Sequence, residues 1–162
     1  MKILAYTAET NGLPDWRGRS DAEHQPHLVR LSAIIFECES HNQGVFHQVD
    51  HFDVIVKPDG WTIPDEAIRS HGITNERASE LGIDEKDAVQ QLFRFIEEAG
   101  EDVIRVTSNK QFNSRIIRIA SKRFATEAQQ EIWSDKENHV CAQSMAKDHF
   151  NVKRITINDA FG

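Results

Sequence analysis

The stretch Ile3-Leu4-Ala5-Tyr6-Thr7-Ala8-Glu9-Thr10-Asn11-Gly12-Leu13-Pro14 decides how the rest of the chain is read. Its apolar start predicts a short buried strand over residues 2–6, and Gly12 and Pro14 mark the turn into which it opens. One acid, Glu9, sits close to the strand's end. Much later, Val103-Ile104-Arg105-Val106-Thr107-Ser108-Asn109-Lys110-Gln111-Phe112-Asn113 repeats the design, a strand opening into a helix.

Working outward, residues 13–26 are polar, hold Pro14, Gly18 and Pro26, and read as a long loop. His27 to Phe36 reads as a buried strand, Ser40 to Gly44 as a hairpin turn, and Val45 to Val56 as a strand antiparallel to the second. Pro58-Asp59-Gly60 ends that strand in a turn. Pro64 followed by acids starts a helix through Arg69. His71-Gly72-Ile73 interrupts it, and Thr74 is placed to cap a short helix through Leu81. Asp84 stands at the cap of a longer helix in which Val89, Leu92, Phe93 and Ile96 recur at helical spacing until Gly100. A strand over Val103–Val106 and a helix over Gln111–Phe124 follow, then a turn or two over Glu127–Trp133. A short strand over His139–Ala142 and helical pieces to Gly162 complete the chain. Three antiparallel strands followed by alternating helix and strand indicate an α/β architecture, a mixed five-stranded sheet covered by helices.

The 162 residues suit a single domain, 1–162. With 39% hydrophobic and 28% charged residues, the composition is that of a folded globular domain. No apolar run approaches the roughly 20 residues that cross a bilayer, and Met1 to Tyr6 lacks the pattern of a signal peptide. A cytoplasmic protein without membrane contact is therefore expected. Cys38 and Cys141 read as two buried thiols rather than a disulfide. The 26 acids against 19 bases give a net charge of −7, which argues against unspecific coating of nucleic acid. It also suits partners that are basic or that themselves bind nucleic acid. His24 with His27, and His47 with His51, have ligand-like spacing but no further ligands to complete a site, so scattered surface histidines are expected. Trp16, Trp61 and Trp133 read as core or rim packing, and Arg115, Arg118, Lys122 and Arg123 as the solvated basic side of one helix.

Residues Tyr6 to Pro14, Gln25 to Val29, Pro58-Asp59-Gly60-Trp61 through His71-Gly72-Ile73-Thr74, and Ser108 to Asn113 carry, in order, a resemblance to the DEDDh 3′–5′ exonucleases. That ribonuclease H-like family includes polymerase proofreading subunits and ribonuclease T. The resemblance implies a ribonuclease H-like α/β fold and a site where four acids hold two Mg²⁺ or Mn²⁺ ions about 4 Å apart. Its first motif places the family's acids on Thr7 and Glu9, and its second places one on Asn113. Neither Thr nor Asn supplies the charge that offsets stripping water from Mg²⁺. The third motif, a helix with a His general base and the last acid, has no counterpart before Gly162; setting Asn158-Asp159-Ala160 on it still replaces the His.

The expectation is thus a degenerate exonuclease with Glu9 as its vestigial acid, no metal cofactor, and a hydrogen bond between Asn113 and Thr7 across the old metal site. Thr10, Gly12, His71, Gly72, Ile73, Asn109 and Phe112 correspond to surfaces that contact nucleic acid in the family. Binding of a nucleic-acid 3′ end, or of a protein of a nucleic-acid machine, is the implied role; a phage or mobile-element accessory or inhibitor would fit. One alternative is an active nuclease using Asp15, Asp53 or Asp159, or a third motif supplied by a partner. Another is a structural subunit that assembles through an apolar face near Phe150, Val152, Ile155 and Ile157.

Overall fold

The computed structural model describes residues 1–39 and 44–154. The hairpin turn expected at Ser40–Gly44, and the positions Ile155, Ile157 and Asp159, fall wholly or mostly outside the described residues. Five strands, β1 (Lys2–Thr10), β2 (Leu28–Cys38), β3 (Phe46–Ile55), β4 (Ile104–Thr107) and β5 (His139–Cys141), form one mixed sheet in the order β3-β2-β1-β4-β5. β1 runs antiparallel to β2, and β2 to β3, whereas β1–β4 and β4–β5 are parallel pairs. Among the described residues six helices connect or cover the strands: α1 (Asp65–His71), α2 (Asn75–Leu81), α3 (Glu85–Ala99), α4 (Lys110–Phe124), α5 (Glu127–Ser134) and α6 (Ala142–Phe150). Among the described residues no helix is long and apolar enough to cross a membrane.

Side-chain alternation along β1 divides the molecule. Leu4, Tyr6, Ala8 and Thr10 are buried, with Leu31, Ala33 and Ile35 of β2 in the same core. Onto them pack Leu92, Phe93 and Ile96 of α3 and Ile116, Ile117 and Ile119 of α4. Each fully buried aliphatic side chain contributes about 1.5–3 kcal/mol, so this layer fixes how α3 and α4 lie on the sheet. Ile3, Ala5, Thr7 and Glu9 face the other way and are half-buried or exposed. The strand runs through Thr10 rather than stopping at Tyr6, since Thr7, Ala8 and Glu9 pair with Ser32, Leu31 and Arg30. Polar side chains are tolerated there because that face is open.

Helix ends follow local chemistry. Thr74 Oγ1 accepts from Arg77 N at 3.2 Å, as expected of a cap, and Thr126 and Gln129 make a reciprocal capping box. Asp84, expected to cap α3, makes no side-chain cap bond. Trp133 is buried, donates from Nε1 to Ser114 O at 3.1 Å, and meets Tyr6 and His139 edge to face. Trp61 is half-buried and stacks flat on His27, whereas Trp16 is half exposed and does not belong to the core. Cys38 and Cys141 are half-buried rather than buried, because both lie at strand ends, and no disulfide joins them.

The basic helix side is not simply solvated. Arg115 donates to Gly18 O at 2.7 Å and Arg123 to Pro26 O at 2.8 Å, which ties the loop over residues 13–26 to α4. Glu85, buried at the start of α3, accepts from Leu28 N at 2.9 Å and meets His27 Nδ1 at 2.8 Å. His27 is thereby committed to a structural pair and His24 to Asp15 at 2.9 Å.

Candidate nucleic-acid site

The end of β1 and the start of α4 meet as the repeated strand-to-helix design predicts. β4 leads through Asn109, whose Oδ1 accepts from Phe112 N at 3.2 Å and starts α4. One turn on, Asn113 is buried. Its Oδ1 accepts from Ala8 N at 3.1 Å and its Nδ2 donates to Thr107 Oγ1 at 2.9 Å. The expected bond between Asn113 and Thr7 does not form. Ala8, with its neighbours Leu4 and Tyr6, belongs to the helix-covered face, while Thr7 alternates to the open one. Asn113 thus ties the central strand to β4 and α4 just where those strands part.

Beside Glu9 a cavity of about 450 Å³ opens between the loop after β1, α1 and Phe112. Glu9, Gly12, Leu13, Ser70, His71 and Phe112 are among the residues that line it. The volume lies in the range of sites that hold one small ligand, about 300–1,000 Å³. His71 is held from both sides: Nδ1 accepts from Ile73 N at 3.1 Å, and Nε2 lies 3.2 Å from Thr10 O. An accepting Nδ1 leaves Nε2 as the donor to Thr10 O. Gly72 takes φ of 75°, the left-handed conformation that ends α1 and swings the chain away. Thr10 Oγ1 donates to Gly12 O at 2.6 Å and braces the turn. At Gly12 an added Cβ would meet nothing within 4 Å, so this glycine leaves space rather than relieving strain.

Seven positions were expected to contact nucleic acid. Thr10, Gly12, His71 and Phe112 meet at the cavity. Ile73 does not: it is buried with Val29, Ile63 and Ala78 in a satellite core beneath α1 and α2, because Gly72 turns it inward. Gly72 and Asn109 are exposed outside the cavity lining, one as a helix end and the other as a helix cap. Pro64, Glu66, Ala67 and Ser70 form the facing wall and carry no signal in the sequence, since nothing local to α1 says which of its sides faces Glu9.

Of the proposed substitute acids, Asp15 is held by His24 and by Arg17 N at 3.0 Å. The His24 hydrogen bond keeps its carboxyl below the usual range. Asp53 on β3 accepts from Arg30 Nε and from Ser32 Oγ, both at 2.7 Å, and Arg30 pairs with its second oxygen as well. This Arg30 pairing takes the Asp53 carboxyl down to about 2. The residues do not fit the pair of divalent ions that the resemblance implies. Of Thr7, Glu9 and Asn113 one is a carboxylate, Asn113 uses both side-chain polar atoms internally, and the register partner of Glu9 on the adjacent strand is the cation Arg30. Among the described residues no group of three or more His, Cys, Asp or Glu side chains is placed to hold a metal.

The sheet order, its mixed strand directions and the helices upon it define a ribonuclease H-like α/β fold of the exonuclease I type. Among solved structures, E. coli exonuclease I in complex with a 5cy-dA13 oligonucleotide matches with a TM-score of 0.71 and 15% identity over 94% of this chain. A product-bound exonuclease I structure matches at 0.68 and 16% identity over 91%, and a complex of exonuclease I with SSB-Ct at 0.70 and 15% over 94%. The chain spans 31% of the product-bound protein and 30% of the other two. The likeness is one of fold. No protein-family model matches the chain, and no curated protein matches it in sequence.

Proposed function

We propose that this chain is a catalytically impaired exonuclease-like protein that binds the 3′ end of a nucleic acid in the cavity beside Glu9. The observation that carries the reading is an exonuclease-type scaffold whose cavity is formed while its acid positions hold Thr7, Glu9 and Asn113. A terminal nucleotide suits such a cavity: Phe112 and His71 offer ring surface to a base, and stacking of that kind tolerates any sequence. Glu9 accepts a hydrogen bond from a terminal hydroxyl, which needs no metal. Asn113, uncharged and internally bonded, stabilises the strand end where a second carboxylate would repel Glu9.

The test uses the purified chain with 5′-fluorescent single-stranded DNA and RNA, each with a free or a blocked 3′ end. Anisotropy is expected to rise for free ends, to fall back with Phe112→Ala, and to be unaffected by EDTA. No shortening is expected on denaturing gels after prolonged incubation with Mn²⁺. Mn²⁺-dependent shortening that Glu9→Ala abolishes would overturn the reading in favour of an active nuclease. Absence of oligonucleotide binding would overturn it in favour of a protein-binding role, which the net charge of −7 also suits.

A further inference from the structure

A row of charges crosses the open face of the sheet beside the cavity. Glu9 on β1 is the register partner of Arg30 on β2, and Ser32 is the partner of Thr7 on one side and Asp53 on the other. Alternation puts the side chains of Thr7, Glu9, Arg30, Ser32 and Asp53 on the same face. Opposed residues of antiparallel strands hold their Cβ atoms about 4.5–5.5 Å apart, well within the reach of an arginine. Arg30 turns to Asp53, with two nitrogens on two oxygens, and Ser32 adds a third bond to the carboxylate at 2.7 Å. Such two-point pairing fixes the plane of the guanidinium. Glu9, on the other side, also favours the charged form of Arg30. The order along the row is carboxylate, guanidinium, carboxylate.

A divalent ion brought to Glu9 would have as its neighbour on the adjacent strand an arginine whose guanidinium is fixed on Asp53. Asp53, the neighbouring acid that could have joined Glu9, is already taken. We propose that Arg30 is the resident cation of this site: it balances Glu9 and Asp53 from within the chain and makes binding at Glu9 independent of divalent metal. Arg30 is a positioning residue, acting through the two carboxylates rather than by touching the ligand. This inference rests on Glu9 belonging to a binding site, and it deepens that reading by naming what stands in for the metal's charge.

The test uses Mn²⁺ alone as the probe, with no oligonucleotide, in thermal unfolding of the whole chain. Wild type and Arg30→Lys are expected to melt at the same temperature with and without millimolar Mn²⁺. Arg30→Gln, which leaves Glu9 and Asp53 without a counter-charge, is expected to gain a saturable upward shift of about 2–4 °C. Adding Glu9→Gln to that variant removes the gain. A merely structural arginine would lower the melting temperature on substitution without creating this Mn²⁺ response. A Glu9-dependent Mn²⁺ shift in wild type overturns the proposal, as does a folded Arg30→Gln that ignores Mn²⁺. Should Arg30→Gln fail to fold, the Mn²⁺ EPR signal in titrations of wild type and Glu9→Gln decides. Equal free-ion signals support the proposal, and a loss that depends on Glu9 overturns it. Without oligonucleotide present, failure here leaves nucleic-acid binding untouched, and failure of oligonucleotide binding leaves the Mn²⁺ result standing.

Discussion

At the scale of single residues, Asn113 carries more of the structure than of any chemistry. Its two side-chain atoms satisfy the buried Ala8 N–H and the Thr107 hydroxyl, groups that water does not reach. Asn113→Ala strands both, and urea unfolding is expected to register a loss of about 1–3 kcal/mol. Gly12 gives the opposite case. A Cβ there meets nothing within 4 Å, so Gly12→Ala should leave the melting temperature where it is. The new methyl projects into space at the cavity wall, and anisotropy is expected to report oligonucleotide affinity lowered about fivefold, the equivalent of roughly 1 kcal/mol. Unchanged affinity would move the ligand away from this wall.

At the scale of elements, β4 and α5 enclose a buried cation. Arg105 on β4 is wholly buried over the Trp133 ring, 5.6 Å from its centroid. It donates from Nη2 to Glu101 O at 2.7 Å, while Nε and Nη1 have no protein partner. Burial pushes the guanidinium below its usual range, with Asp135, Tyr6 and Asp102 opposing the shift at a distance. A buried cation lacking a close counter-ion is a net cost, and apolar replacements of similar volume are often neutral or stabilising. Arg105→Met is therefore expected to match or exceed wild-type stability in chemical denaturation. A loss of several kcal/mol would mean that the Glu101 bond and the Trp133 contact outweigh the desolvation.

For the whole molecule, stability should fall on acidification in two stages. His139 is buried beneath Trp133, and burial together with Arg105 lowers its imidazole below the ordinary 6.5. The unfolded chain then binds a proton that the folded chain refuses, so stability is full above pH 6.5 and declines as pH falls below it. Asp53 is depressed from 3.8 to about 2, so its contribution, screened by its exposure, is present above pH 3.8 and lost as pH falls toward 2. Melting temperatures from pH 8 to 2 check both stages. His139→Gln is expected to flatten the first and Arg30→Gln the second.

Patterns along the whole chain were enough to read the α/β fold class, the five strands and most helix boundaries. These properties are local: hydrophobic period, turn residues and caps act within a few residues of chain. The partners of Asn113, the inward turn of Ile73, the cavity wall from α1 and the pairing of Arg30 with Asp53 were not legible. Each depends on register between segments far apart in sequence, and a one-residue slip would send every side chain to the other face. The sequence by itself determined which residue types stand at the site, because charge is a property of the residue. The tertiary structure alone decided which of those charges face one another, because that follows from how β1, β2 and β3 align.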